Sequence, residues 1–126
     1  MKRWWLIAGA ALLIPASAQA MTVEEFLVKA RALKAKGPLA LFSSDLAPVR
    51  AEIKSVATSY RADLRADRAA GRAPHSCPPP EGSEAAKIKP ADFLAELEKI
   101  PPHQRSMSMK TAFYLIMKRR WPCPAG

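Results

Sequence analysis

Two cysteines constrain what this chain can fold into more than any other feature. Cys77 lies mid-chain in the turn-rich PHSCPPPEGS, and Cys123 ends the amphipathic stretch SMSMKTAFYLIMKRRWPC. A bond between them ties the middle of the chain to its tail and closes a small domain around the last helix. The compartment decides whether it forms, because oxidising surroundings favour disulfides and the cytosol opposes them.

The N-terminus addresses the compartment. Lys2 and Arg3 precede an apolar run from Trp4 to Ile14, followed by Pro15 and the small-residue site Ala18-Gln19-Ala20. That order is the one a cleavable secretory signal peptide takes, here residues 1–20. The run is too short to span a bilayer, no later stretch approaches spanning length, and no cysteine at the cleavage site invites a lipid anchor. A true start at Met21 is the competing reading and would leave the protein cytosolic. Cleavage after Ala20 removes 20 of 126 residues, leaving residues 21–126 as one small domain with a modest core.

The cut also removes two of the 20 basic side chains, leaving 18 against 11 acids. A surplus of that size favours anionic surfaces at low salt: an acidic protein, a lipid or a cell-wall polymer. Outside the cytoplasm nucleic acid is not an expected partner. A merely solvated basic surface accounts for the same numbers.

Periodicity predicts an all-α domain of four main helices, near 23–36, 46–70, 91–100 and 108–120, stapled by one disulfide. Thr22 and Glu25 have capping-box spacing at the start of the first helix, which buries Val23, Phe26, Leu27, Ala30 and Leu33 and stops at Gly37-Pro38. Pro38–Phe42 reads as a short helical turn plugging one end of the core with Leu39, Leu41 and Phe42. Ser44 or Asp45 caps the long second helix, whose core stripe is Leu46, Val49, Ile53, Val56, Tyr60 and Leu64. Its exposed side carries Arg50, Lys54, Arg61, Arg65 and Arg68, with Glu52, Asp63 and Asp67 interspersed. Arg72 to Pro90 reads as a loop without periodicity until Ile88, stiffened by Pro78, Pro79 and Pro80. The third helix buries Phe93, Leu94, Leu97 and Ile100 and is cut off by Pro101-Pro102. Ser106 or Ser108 caps the fourth, which buries Met109, Ala112, Phe113, Ile116 and either Leu115 or Met117.

Three chemistries compete for the cysteines. With His75 and His103 they make a zinc quartet, although only His75 and Cys77 are a close pair where such modules use two. His75 beside Cys77 also suggests a base and a thiol nucleophile, but no glycine-flanked helix start presents either sulfur. The disulfide needs only export. Asp63 and Asp67, one turn apart, sit among arginines as a surface ion network does, and no glycine-rich phosphate loop exists. These readings yield no enzyme and no cofactor. Trp121, beside Lys118, Arg119 and Arg120, either covers the disulfide and closes the core or forms an aromatic-basic contact patch.

The second half resembles the Tai-type immunity proteins of bacterial type VI secretion, including the related Rap group. The residues that carry the likeness are Cys77-Pro78-Pro79 after a long helix, Phe93, Leu94 and Leu97, then Ile100-Pro101 with Arg105, Ser108, Ala112 and the terminal Trp121-Pro122-Cys123. It implies a small helical periplasmic protein that binds a peptidoglycan-cleaving amidase toxin and blocks its active-site cleft, often as a homodimer. The first half lacks the N-terminal cysteine that many relatives pair into a second disulfide. Relatives grip the toxin through variable loops, so no contact residue transfers.

Function is therefore expected to be non-enzymatic binding: of a protein partner, or alternatively of anionic cell-wall polymer or lipid through the basic surface. Core stripes are committed to folding, which leaves loops and polar helix faces for a partner. The candidate contact residues are Gly82, Ser83 and Glu84 in the loop and Arg61, Arg65 and Arg68 on the long helix. A loop serving only as a disordered connector is the plain alternative.

Overall fold

A computed structural model describes residues 20–125, and the proposed leader lies outside the described residues apart from Ala20. Four α-helices are present: α1 (Val23–Lys36), α2 (Leu46–Ala69), α3 (Pro90–Glu98) and α4 (Met109–Arg120). A two-turn 3-10 helix at Gly37–Phe42 and single 3-10 turns at Glu84–Ala86 and Pro102–Gln104 occupy the connections. Among the described residues there is no strand beyond an isolated bridge between Thr22 and Ser108.

Local chemistry sets the helix ends. Thr22 Oγ1 accepts from the Glu25 amide at 3.2 Å while the Glu25 carboxylate accepts from the Thr22 amide at 3.3 Å, completing the capping box of α1. Ser108 caps α4 by accepting from the Thr111 amide at 3.1 Å. In α2 neither Ser44 nor Asp45 caps through its side chain; Ser43 Oγ accepts from the Asp45 amide instead, and Asp45 pairs with Lys29 of α1 at 3.3 Å. Gly71, at φ +70, takes the left-handed conformation just past α2, where a side chain would be strained. The third helix ends at Glu98, two residues early. The Glu98 carbonyl at its end is met by the Arg105 guanidinium, which donates to Glu98 O at 3.0 Å and to Ile100 O just beyond the helix at 2.9 Å.

α1 packs against each of the other helices, and α2 packs against α4. Val23, Phe26 and Leu27 meet Val49, Val56, Tyr60 and Leu64 of α2, Phe93 and Leu97 of α3, and Met109, Ala112, Phe113, Ile116 and Met117 of α4 in one core. Between Leu115 and Met117 the structure buries Met117. Backbone bonds stitch the entries of α1 and α4 together: Val23 N–H to Met107 O at 3.0 Å, Glu24 N–H to Arg105 O at 3.0 Å and Met109 N–H to Met21 O at 2.9 Å.

Three expectations are corrected. The Pro38–Phe42 turn is helical but plugs nothing: Leu39, Leu41 and Phe42 are 67, 68 and 87% exposed. A 3-10 helix spreads its side chains around its axis, and this one is occupied with reversing the chain between α1 and α2. On α2, Ile53 sits at the edge of the core rather than in it, and Glu52 is buried at 8% exposure. Spacings through 52 or 53 fit the stripe from Val49 to Val56 equally well, and the helix turns 52 inward, where its carboxylate accepts a bond from the Met21 amide. The loop between α2 and α3 also carries regular structure, its turn at Glu84–Ala86.

Candidate functional site

Cys77 and Cys123 form a disulfide with Cα atoms 4.8 Å apart across 46 positions, so the zinc quartet and the thiol nucleophile both lose their sulfur ligands. Around the bond, the loop from Arg72 to Lys89 is held against α2 and the tail. Its entry is fixed by the Arg72 amide donating to Asp67 O at 2.8 Å and an Arg72 to Asp67 ion pair at 3.1 Å. Ser76 is fully buried and its hydroxyl hydrogen-bonds the Tyr60 hydroxyl, so a polar pair fastens the loop base to the core face of α2. Next, the Cys77 amide donates to Trp121 O at 2.8 Å. Trp121 is half-buried against the core, with Arg120 stacked 5.4 Å over its ring, so it both closes the core and carries a cation on its outer face.

The proline run then lies along α2. Arg61 Nη1 donates to Pro79 O at 3.5 Å, and Arg65 pairs with Glu81 at 3.6 Å. Arg61, Arg65 and Arg68 gather with Pro78, Pro79, Pro80 and Glu81 around an open cleft of about 340 Å3. Among the described residues neither Arg61 nor Arg68 has an ion-pair partner, so two guanidinium charges of this cleft are unneutralised, Arg68 being the more exposed. The loop tip turns at Gly82, φ +83, where the Ser83 amide and hydroxyl both donate to Pro80 O at 3.1 and 2.6 Å. Glu84 opens the short 3-10 turn and pairs with Lys87 on the surface. The three arginines are thus brought together, whereas Gly82, Ser83 and Glu84 form a separate projection beyond them.

Sequence reasoning missed an apolar crevice behind this projection. Ala86 and Ile88 of the loop and Pro90 of α3 line it with Ile53, Ala57 and Arg61 of α2, together with Phe113, Met117 and Trp121, around about 260 Å3. Through Ile53, Pro90 and Phe93 it adjoins a second apolar crevice of about 430 Å3 between α1, α2 and α3. The available signal was the lone periodic Ile88 after an aperiodic stretch, together with an Ile53 that competes with Glu52 for the stripe.

Electrostatics here are structural. The Tyr114 hydroxyl donates to Asp63 while its ring stacks edge-on to Tyr60, and burial first, then the bond to Asp63, raises its pKa well above the ordinary phenol range. His75 lies 5.4 Å from the Tyr114 ring and its buried Nδ1 has no partner among the described residues. No group of three or more metal-ligating side chains occurs among the described residues. No helix among them is long and apolar enough to cross a membrane.

Fold and site together define a small all-α domain braced by one disulfide, a bond suited to an extracytoplasmic compartment. No protein-family model, curated protein or solved structure matches the chain.

Proposed function

We infer that this is a periplasmic, non-enzymatic binding protein of the immunity type, which holds a peptidoglycan amidase toxin by protein contact. The observation that carries the reading is the loop: its tip projects while its base is fixed by the disulfide, by Ser76 and by the Arg65–Glu81 pair. A projection already in its bound shape suits an enzyme's active-site cleft, because little ordering cost remains on association. The arginine cleft beside it supplies charge to steer and orient the partner, and the apolar crevice behind it offers a floor for an inserted side chain.

The test begins with a small amidase encoded beside this chain, produced and titrated with the mature protein. Inhibition of peptidoglycan cleavage through a stoichiometric complex is expected. The triple variant Arg61→Glu, Arg65→Glu, Arg68→Glu, and separately deletion of Gly82 to Ala86, should each weaken the complex by at least about tenfold. Arg68→Glu alone, an exposed side chain with no ion-pair partner among the described residues, should keep the melting temperature within about 2 °C, whereas the triple variant also removes the Arg61–Pro79 bond and the Arg65–Glu81 pair that hold the loop. Full-strength binding by both variants, or a complex that leaves the amidase active, rules the reading out.

A second reading, attachment to anionic lipid, has its own observation. Leu39, Leu41 and Phe42 project beside Lys36, whose ammonium donates to Ser43 Oγ at 2.9 Å at the base of the same turn. Vesicles with an anionic headgroup should then sediment the protein in a salt-sensitive manner. Replacing Leu41 and Phe42 by serine should release it; equal sedimentation of that variant, or of the protein with neutral vesicles, dismisses this reading.

A further inference from the structure

Glu52 and Ser76 are the buried polar side chains among the described residues. Ser76 is answered by Tyr60, but Glu52 is answered by one N–H, the backbone nitrogen of Met21, 3.2 Å from Oε1. Burial raises the Glu52 carboxyl above the usual range; the Met21 bond works against that and the nearby charge of Glu25 adds to it. A carboxylate on a core-facing stripe, set between Val49 and Val56, is poorly compensated by a single amide proton.

The nitrogen that supplies that proton belongs to a particular bond. Ala18-Gln19-Ala20 ends there, so it is the bond a leader peptidase would hydrolyse. One water is consumed: its oxygen goes to the Ala20 carbonyl, which departs with the leader as a carboxylate, and the Met21 nitrogen takes up protons to become an α-ammonium. Where an amide offered one N–H and no charge, the same atom now offers three N–H and a full positive charge. Its place is set independently of Glu52. Met21 O accepts from the Met109 amide at 2.9 Å, Thr22 bridges to Ser108, and the Val23 amide donates to Met107 O at 3.0 Å.

We propose that cleavage after Ala20 turns the Met21 nitrogen into an α-ammonium that is the half-buried counter-ion of Glu52, so that the export cut completes the fold by locking the new N-terminus onto α2. This rests on the leader reading and is independent of any partner. The other charged groups at the site are Glu25 and Lys110. Glu25 is spent on the capping box, and Lys110, which lines the same crevice, lies 4.0 Å from Asp63. Neither replaces the ammonium. The uncut chain, with only an amide at this point, is held less firmly at the entry of α1, which suits a precursor exported unfolded.

Two starts, Met21 and an Nα-acetylated Ala20, whose free amine would otherwise carry a charge into the same crevice, are produced from cleavable fusions, each with and without Glu52→Gln. The Met21 start should melt on the order of 5 °C above the Ala20 start at neutral pH and low salt. With Glu52→Gln the two starts should melt within about 1 °C of each other. Equal melting of the two starts with Glu52 intact, or an undiminished gap with Glu52→Gln, overturns the pairing. Should Glu52→Gln fail to fold, Nα-acetylation of the Met21 start takes its place: it removes the charge and must lower melting to that of the Ala20 start, and an acetylated chain that melts like the free one overturns the pairing as well. The intact mass of protein exported with its own leader reads the cut separately. Met21 as first residue is expected, and any other first residue defeats the processing step whatever the fusion-derived forms show.

Discussion

Replacing Cys77 and Cys123 together by alanine should lower the free energy of unfolding by about 4 kcal/mol, the value that loop-closure entropy assigns to a bridge across 46 positions. Most of that loss arises in the unfolded chain, which regains the freedom to separate its middle from its tail. The folded state loses little, because Cys123 is exposed and the Cys77 amide keeps its bond to Trp121 O. For a domain with one modest core, 4 kcal/mol is a large share of the total. Urea titrations of the oxidised protein and the double variant measure it, and the slope should rise in the variant because its unfolded state is more expanded. A loss under about 1 kcal/mol would mean that the unfolded chain stays compact without the bridge. Amide exchange locates the effect: protection of the Cys77 and Ser83 amides should fall in the variant, while α1, which is tied to α4 by backbone bonds, should keep its protection up to global unfolding.

How far this architecture was legible in the sequence depends on whether a feature is local. Helix ends are decided by a few neighbouring atoms, so the Thr22–Glu25 box, the Gly37-Pro38 stop and the Ser108 cap could be read directly, and α1 spans the predicted residues. The end of α3 was misplaced by two residues because the Arg105 guanidinium, from the next connection, takes up the Glu98 and Ile100 carbonyls. The disulfide was expected from a leader-like N-terminus and a lone cysteine pair. What could not be read is which of two adjacent residues a helix turns inward. Glu52 and Ile53 both fit the stripe of α2, and hydrophobicity alone chooses Ile53; the structure turns Glu52 inward, where the Met21 nitrogen meets it from 31 positions away. Of the candidate site, the residue types on the arginine face and at the loop tip were legible. The crevice behind them was not, since it exists only once the disulfide has laid Ala86 and Ile88 beside α2.

Leu97 and Leu41 looked alike in sequence, both being apolar groups assigned to the core, and the structure separates them completely. Leu97 is 0% exposed in α3, within the cluster that includes Phe26 and Leu27, so truncation to alanine leaves a cavity that three helices would have to collapse to fill. Leu97→Ala should therefore destabilise by about 3–4 kcal/mol, the sum of lost transfer energy and an unfilled void. In a domain of this size that lowers the melting temperature by on the order of 15 °C. Leu41→Ala, at a position 68% exposed, should change stability by less than about 0.5 kcal/mol. Thermal melts of the two variants beside the parent test the pair. A large loss from Leu41→Ala would show that the turn at Gly37–Phe42 packs against the body after all, and a small loss from Leu97→Ala would show that α3 is docked more loosely than its buried face requires.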